Sequence, residues 1–125
     1  MKKILVVDDE FSIVEVWKEI LELSGHEVST ANNGNNGVEL IAENDFDMII
    51  TDMKMPGSDG LVILDYISKS EKNPKMVVSS GYVEYDNILS KYNVDMFIQK
   101  PFLLEKEIDN IRELLGINFS FEKST

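Results

Sequence analysis

Hydrophobic and polar positions along this chain follow two alternating rhythms. Five short stretches, residues 4–7, 28–30, 48–51, 76–79 and 96–98, are apolar or small at nearly every position. Runs that short, without a polar alternation, fit strands buried on both faces, as in a parallel sheet. Between them apolar residues recur at helical spacing. Ile13, Trp17, Ile20 and Ser24 share one face of a first helix, and Gly25 is placed to stop it. Residues 38–44, 61–70 and 84–91 predict three more helices. Leu104, Ile108, Ile111 and Leu115 repeat through a last one, which Gly116 ends. This alternation predicts an α/β fold, a five-stranded parallel sheet with helices on both faces. In such sheets ligands gather outside the carboxyl ends of the strands.

Those ends carry the chemistry. Asp8-Asp9 closes the first apolar run, Asp52 the third, Ser79-Ser80 the fourth, and Lys100 follows the fifth. If Asp8, Asp9 and Asp52 converge, each pair of charges repels by roughly 4 kcal/mol at an effective dielectric of 20. A divalent cation relieves that repulsion, and a carboxylate set without His or Cys favours Mg²⁺ or Mn²⁺ over zinc. An Asp-Asp pair alone would read as a helix N-cap; Asp52 and Lys100 at matching strand ends argue for the metal instead. A carboxylate held ionised beside a cation can attack phosphorus and form an aspartyl phosphate. Lys100 would neutralise the phosphoryl oxygens, and Pro101 holds its backbone extended. A serine hydroxyl at residue 79 or 80 could donate to the same group, or simply shape the turn before Gly81. Pro56-Gly57 marks a turn after Asp52, and Gly60 either opens the next helix or supplies an unusual backbone angle. The sole histidine, His26, lies far from these runs and is expected to be structural.

Composition narrows the classes. The 125 residues fit one domain, with 43% apolar residues enough for a core. The formal charge of −11 repels nucleic acid, and no basic cluster offsets it. Without cysteine there is no disulfide or thiolate chemistry. No stretch approaches the ~20 apolar residues of a membrane span. Met1-Lys2-Lys3 leads straight into the first run without a cleavage signal, so the expected location is the cytoplasm.

Taken in order, Asp8-Asp9-Glu10, Asp52 with Met55-Pro56 and Asp59-Gly60, Ser80-Gly81, and Phe97 with Lys100-Pro101-Phe102 resemble the receiver domain of bacterial two-component response regulators. The resemblance spans residues 2–115 and implies a flavodoxin-like, doubly wound sheet of strand order 2-1-3-4-5. It implies a receiver domain over residues 1–116 and a short tail over 117–125. It makes Asp52 the phosphoacceptor, Asp9 and Asp52 direct Mg²⁺ ligands, Asp8 a ligand acting through water, and the backbone carbonyl of Lys54 a further ligand. Ser80 becomes the switch hydroxyl, Phe97 the rotating aromatic and Lys100 the phosphoryl-binding lysine. Phe97 lacks the hydroxyl many receivers carry there, and Tyr92-Asn93-Val94-Asp95 replaces a usual Gly-Ala pair. Lys54 beside the site, with Pro56-Gly57, is similar to single-domain sporulation phosphorelay receivers.

The implied function is a signalling switch. A sensor histidine kinase or histidine phosphotransfer protein would donate the phosphoryl group, and a downstream protein would receive the signal. Such a chain catalyses its own phosphorylation and dephosphorylation without being a dedicated enzyme. A receiver cut from a longer regulator, an aspartate-nucleophile phosphatase, a flavin binder and a static docking module stand as alternatives. Lys54 occupies the place of a phosphatase's second aspartate, and Asp8-Asp9-Glu10 that of a flavin binder's glycine-rich loop. The first helix has more apolar surface than a core stripe needs: Ile13, Val14, Val16, Trp17, Ile20, Leu21 and Leu23 span roughly 180° against the usual ~100°. Phe11 lies outside even that arc. Phe11, Ile13 and Val16 are the expected rim for a docking histidine-bearing helix bundle.

Overall fold

The computed structural model describes residues 1–55, 57, 59–81, 90–100 and 104–115. Five strands form one parallel sheet: β1 (Lys3–Val7), β2 (Glu27–Ala31), β3 (Met48–Asp52), β4 (Lys75–Ser80) and β5 (Met96–Gln99). Their order is β2-β1-β3-β4-β5, as the family resemblance implied. Four helices are described: α1 (Phe11–Leu23), α2 (Gly34–Glu43), α3 (Gly60–Ser68) and α4 (Leu104–Leu115). None of the described helices is long and apolar enough to cross a membrane. Residues 84–89 of an expected helix, the Pro56 turn, Pro101-Phe102, Gly116 and the 117–125 tail lie outside the described residues. So do the side chains of Leu104, Ile108 and Leu115.

The pleat of the strands sorts the apolar runs into two cores. Ile4 and Val6 of β1, Met48 and Ile50 of β3, Val77 of β4 and Ile98 of β5 pack against Val14, Trp17 and Leu21 of α1 and Ile111 of α4. The intervening residues Leu5, Val7, Ile49, Met76 and Val78 pack against Ile41 of α2 and Ile63 and Leu64 of α3. That is why the runs of β1, β3 and β4 are apolar throughout, whereas β2, at the edge of the sheet, is only half-buried and not buried on both faces as its run suggests.

Local chemistry sets the ends of the helices. Asn33 caps α2 by accepting from the Asn36 amide at 2.8 Å, and Asp59 caps α3 by accepting from the Leu61 amide at 3.1 Å. The end of α1 is a Schellman motif: the Gly25 amide donates to the Glu22 carbonyl at 2.9 Å and the His26 amide to that of Leu21 at 3.1 Å. Gly25 supplies the left-handed φ of 89° that this closure needs. His26 is buried at the amino end of the sheet, where its Nδ1 accepts from the Lys2 amide at 3.1 Å, in keeping with the expected structural role.

Candidate active site

Strand phase brings four side chains to one face. Residues in register on neighbouring strands point the same way, and along a strand every second residue does. Asp52 continues the phase of Met48 and Ile50, and Ser79 that of Val77; Asp52 and Ser79 are register partners. Asp8 follows β1 in phase with Ile4 and Val6, and Lys100 follows β5 in phase with Ile98. The Asp8 amide donates to the Ala31 carbonyl at 3.1 Å, and the Lys100 amide to the Ser80 carbonyl at 2.9 Å, so both residues extend the sheet.

The carboxylates converge. One oxygen from each of Asp8, Asp9 and Asp52 lies within 4.8 Å of the others. Asp8 and Asp52 are buried, and Asp9 faces solvent. The Lys100 ammonium stands among them, 2.8 Å from Asp8 Oδ2, 3.4 Å from Glu10 Oε1 and 3.5 Å from Asp52 Oδ2. Burial alone would lower the Lys100 pKa, but the bond to Asp8 and the charges of Asp8, Asp52 and Glu10 raise it above its ordinary value. Asp52 Oδ1 accepts from the Met53 amide at 2.8 Å, which leaves Oδ2 for the cluster. Burial pushes the Asp52 carboxyl up to about 6; Lys100 pulls it down and Asp8 pushes it up again. The donor set is therefore three converging carboxylates with one cation for company, and it fits a hard divalent ion.

The loop after Asp52 is cinched onto the strand. The Gly60 amide donates to the Met53 carbonyl at 2.8 Å. A Cβ on Gly60 would press into the Asp52 carbonyl oxygen and lie 3.0 Å from Met53 Sδ. Gly60 does open α3, and what it supplies is space, since only Gly25 and Gly57 among the described residues have positive φ. Lys54 sits exposed in this loop, two residues past Asp52.

Both serines at the end of β4 are buried. Ser80 pairs with Gln99 and shares the phase of Val78, toward α2 and α3. Ser79 is the serine beside Asp52, and its buried Oγ has no hydrogen-bond partner. An orphaned hydroxyl next to a carboxylate cluster is a group waiting for an acceptor. Glu10 was read only as part of a motif, and its ion pair with Lys100 has no signal in the sequence. Phe97 is half-buried, in register with Val78, and packs into the core of the α2–α3 face. On α1, Phe11 is 76% exposed and Val16 38%, while Ile13 is half-buried against the core.

Phe11 also lines a cleft of about 400 Å³ with Asp8, Asp9, Lys18, Asn32 and Asn36. A larger cleft, of about 550 Å³, opens at the opposite ends of the strands between Ile67, Lys75, Tyr92 and Asp95. It holds no comparable acidic cluster among the described residues, so size alone does not mark the reactive edge.

The family profile described as response regulator receiver domain matches residues 4–112. Among solved structures, the response regulator protein TrrA from Thermotoga maritima is 35% identical, with a TM-score of 0.80 over 91% of this chain and 99% of that one. That protein was crystallised in complex with Mg²⁺ and BeF. A CheY-like receiver domain protein from Methanospirillum hungatei is 28% identical, with a TM-score of 0.85 over 93% and 94% of the two chains. The Francisella response regulator 1452 receiver domain is 28% identical, with a TM-score of 0.82 over 93% and 98%.

Proposed function

The chain belongs to the response regulator receiver domains, and from that premise we propose that Asp52 takes a phosphoryl group from a phosphohistidine on a sensor kinase or histidine phosphotransfer protein. The observation that carries this is the convergence of Asp52 with two further carboxylates, its Oδ2 3.5 Å from the Lys100 ammonium. Asp52 Oδ2 forms a bond to phosphorus as the phosphorus–nitrogen bond breaks, and the imidazole leaves with a proton from solvent. The Met53 amide holds Oδ1, so the nucleophilic oxygen is presented in one orientation. With its carboxyl at about 6, Asp52 is largely ionised at neutral pH and ready to attack.

Asp9 and Asp52, with the Lys54 carbonyl and with Asp8 through water, would hold Mg²⁺ or Mn²⁺. When bound, that ion supplies positive charge to the phosphoryl oxygens. Lys100 supplies a second cation to a phosphoryl oxygen. A hydroxyl at the end of β4, that of Ser80 or the orphaned one of its neighbour Ser79, donates to another. Ser79 is the neighbour of Ile98 in β5, and Phe97 is the next residue on the opposite face. Drawing the hydroxyl toward the phosphoryl group therefore acts on the strand that carries Phe97, and a downstream protein reads the shift in population.

Incubation with Mg²⁺ and acetyl phosphate should add one phosphoryl group to the intact mass of the protein. The adduct should be absent in Asp52→Asn. An adduct that persists in that variant would place the acceptor elsewhere.

A further inference from the structure

Glu10 occupies the N-cap of α1, a position that favours the short oxygen-bearing side chains of Ser, Thr, Asp and Asn. Its side chain caps nothing. Only its carbonyl serves the helix, accepting from the Ile13 and Val14 amides at 3.1 and 3.2 Å. The carboxylate instead reaches across to Lys100, with Oε1 at 3.4 Å from the ammonium. The backbone is set for that reach, because the Glu10 amide donates to Asp8 Oδ1 at 3.0 Å while Asp8 Oδ2 takes Lys100 at 2.8 Å. Asp8, Glu10 and Lys100 thus form a closed ring at the mouth of the site.

An ammonium has three hydrogens to donate. In this resting arrangement three carboxylates compete for them, those of Asp8, Glu10 and Asp52. A phosphoryl oxygen can gain Lys100 only by displacing one of them. Asp8 is held at the shortest distance and is buried, and Asp52 is the group being esterified. Glu10 is left: its side chain is 58% exposed, and it stands outside the three-carboxylate cluster suited to a cation.

We propose that Glu10 is a positioning residue that parks the Lys100 ammonium away from the incoming phosphoryl group and so slows phosphorylation of Asp52. This rests on the phosphoacceptor reading of the site. Its competitor is a simpler effect, in which a negative charge at the mouth repels anionic donors wherever its side chain lies.

Glu10→Gln and Glu10→Asp separate the two. Gln removes the charge; Asp keeps it but is one methylene too short to reach Lys100 as Glu10 does. Rates of acetyl phosphate phosphorylation would be followed by intact mass at saturating Mg²⁺, so that metal affinity does not enter. Release of Lys100 predicts that both variants react faster than the parent chain, by about two- to five-fold, the range open to an exposed ion pair. An unchanged rate in Glu10→Asp, with or without acceleration in Glu10→Gln, would overturn the proposal. A purely structural role would appear otherwise, as a more stable α1 in Glu10→Asp, whose side chain can cap the helix, with no change in rate. Failure of the parent chain and both variants to accept any phosphoryl group would remove the phosphoacceptor reading and this proposal together. Adducts formed at equal rates would remove this proposal alone.

Discussion

Asp52 shows how one buried carboxylate ties stability to function. Its folded pKa of about 6 lies above its ordinary 3.8, so the proton binds more tightly to the folded chain than to the unfolded one. The stabilisation from protonating Asp52 is therefore complete below pH 3.8 and lost as the pH rises through about 6. At roughly 1.4 kcal/mol per pKa unit the loss amounts to about 3 kcal/mol in the metal-free protein at neutral pH. Asp52→Asn, which never ionises, should be more stable than the parent chain by about 2–3 kcal/mol in urea melts with EDTA at pH 7. The gap should close near pH 4, and a gap independent of pH would mean that Asp52 is not the group responsible. Asp8, Asp52 and Lys100 were legible in the sequence because each sits where an apolar run meets polar residues, and a parallel sheet brings such ends together. Composition alone did not rank Ser79 against Ser80, and only the resemblance named Ser80. Gly60 showed that something other than a side chain was needed there, but whether it was angle or space depends on how close the Asp52 carbonyl comes.

At the scale of the element, α1 does two jobs along its length. Val14, Trp17 and Leu21 are buried, and Ile13 and Ile20 pack at the edge of that core. Phe11 and Val16 face outward, and Phe11 lines a cleft with Asp8 and Asp9. Under the proposed function a donor histidine would reach Asp52 from this edge, and the exposed rim would be its partner's contact. Phe11→Glu should block phosphotransfer from the partner protein while leaving phosphorylation by acetyl phosphate intact. Its effect on stability should stay within about 0.5 kcal/mol, as for other exposed positions. Parallel loss of both reactions would show that Phe11 serves the chemistry or the fold and not docking. Ile13 is the poorer probe, because a charge there would also disturb the core. Helix α2 starts at Gly34, four residues before the periodicity suggests. Gly34-Asn35-Asn36-Gly37 has the composition of a turn, but Gly37 faces α3, where a Cβ would lie 2.9 Å from Ile63 Cδ1. The glycine that looks like a helix breaker lets two helices meet.

The whole molecule is a sheet that gathers like charges at one end. Strand number was legible because each apolar run is short and flanked by helical spacing, with β1, β3 and β4 buried on both faces; strand order came from the family resemblance. A cation bound at that end would become part of the stability of the molecule. Mg²⁺ at about 100 times its dissociation constant should raise the unfolding free energy by about 2.7 kcal/mol, read as a higher urea midpoint. In Asp9→Ala that gain should largely vanish, together with phosphorylation. A midpoint that still responds fully to Mg²⁺ would move the metal away from these carboxylates. The bond between Lys100 and Asp8 spans 92 positions, from the first strand to just past the last. During synthesis on a ribosome, Asp8, Asp9 and Asp52 all emerge before the lysine that neutralises them. Until then the charge that Lys100 brings to Asp8 is missing, so the end of the sheet that gathers these carboxylates is completed electrostatically only when the last strand has been made.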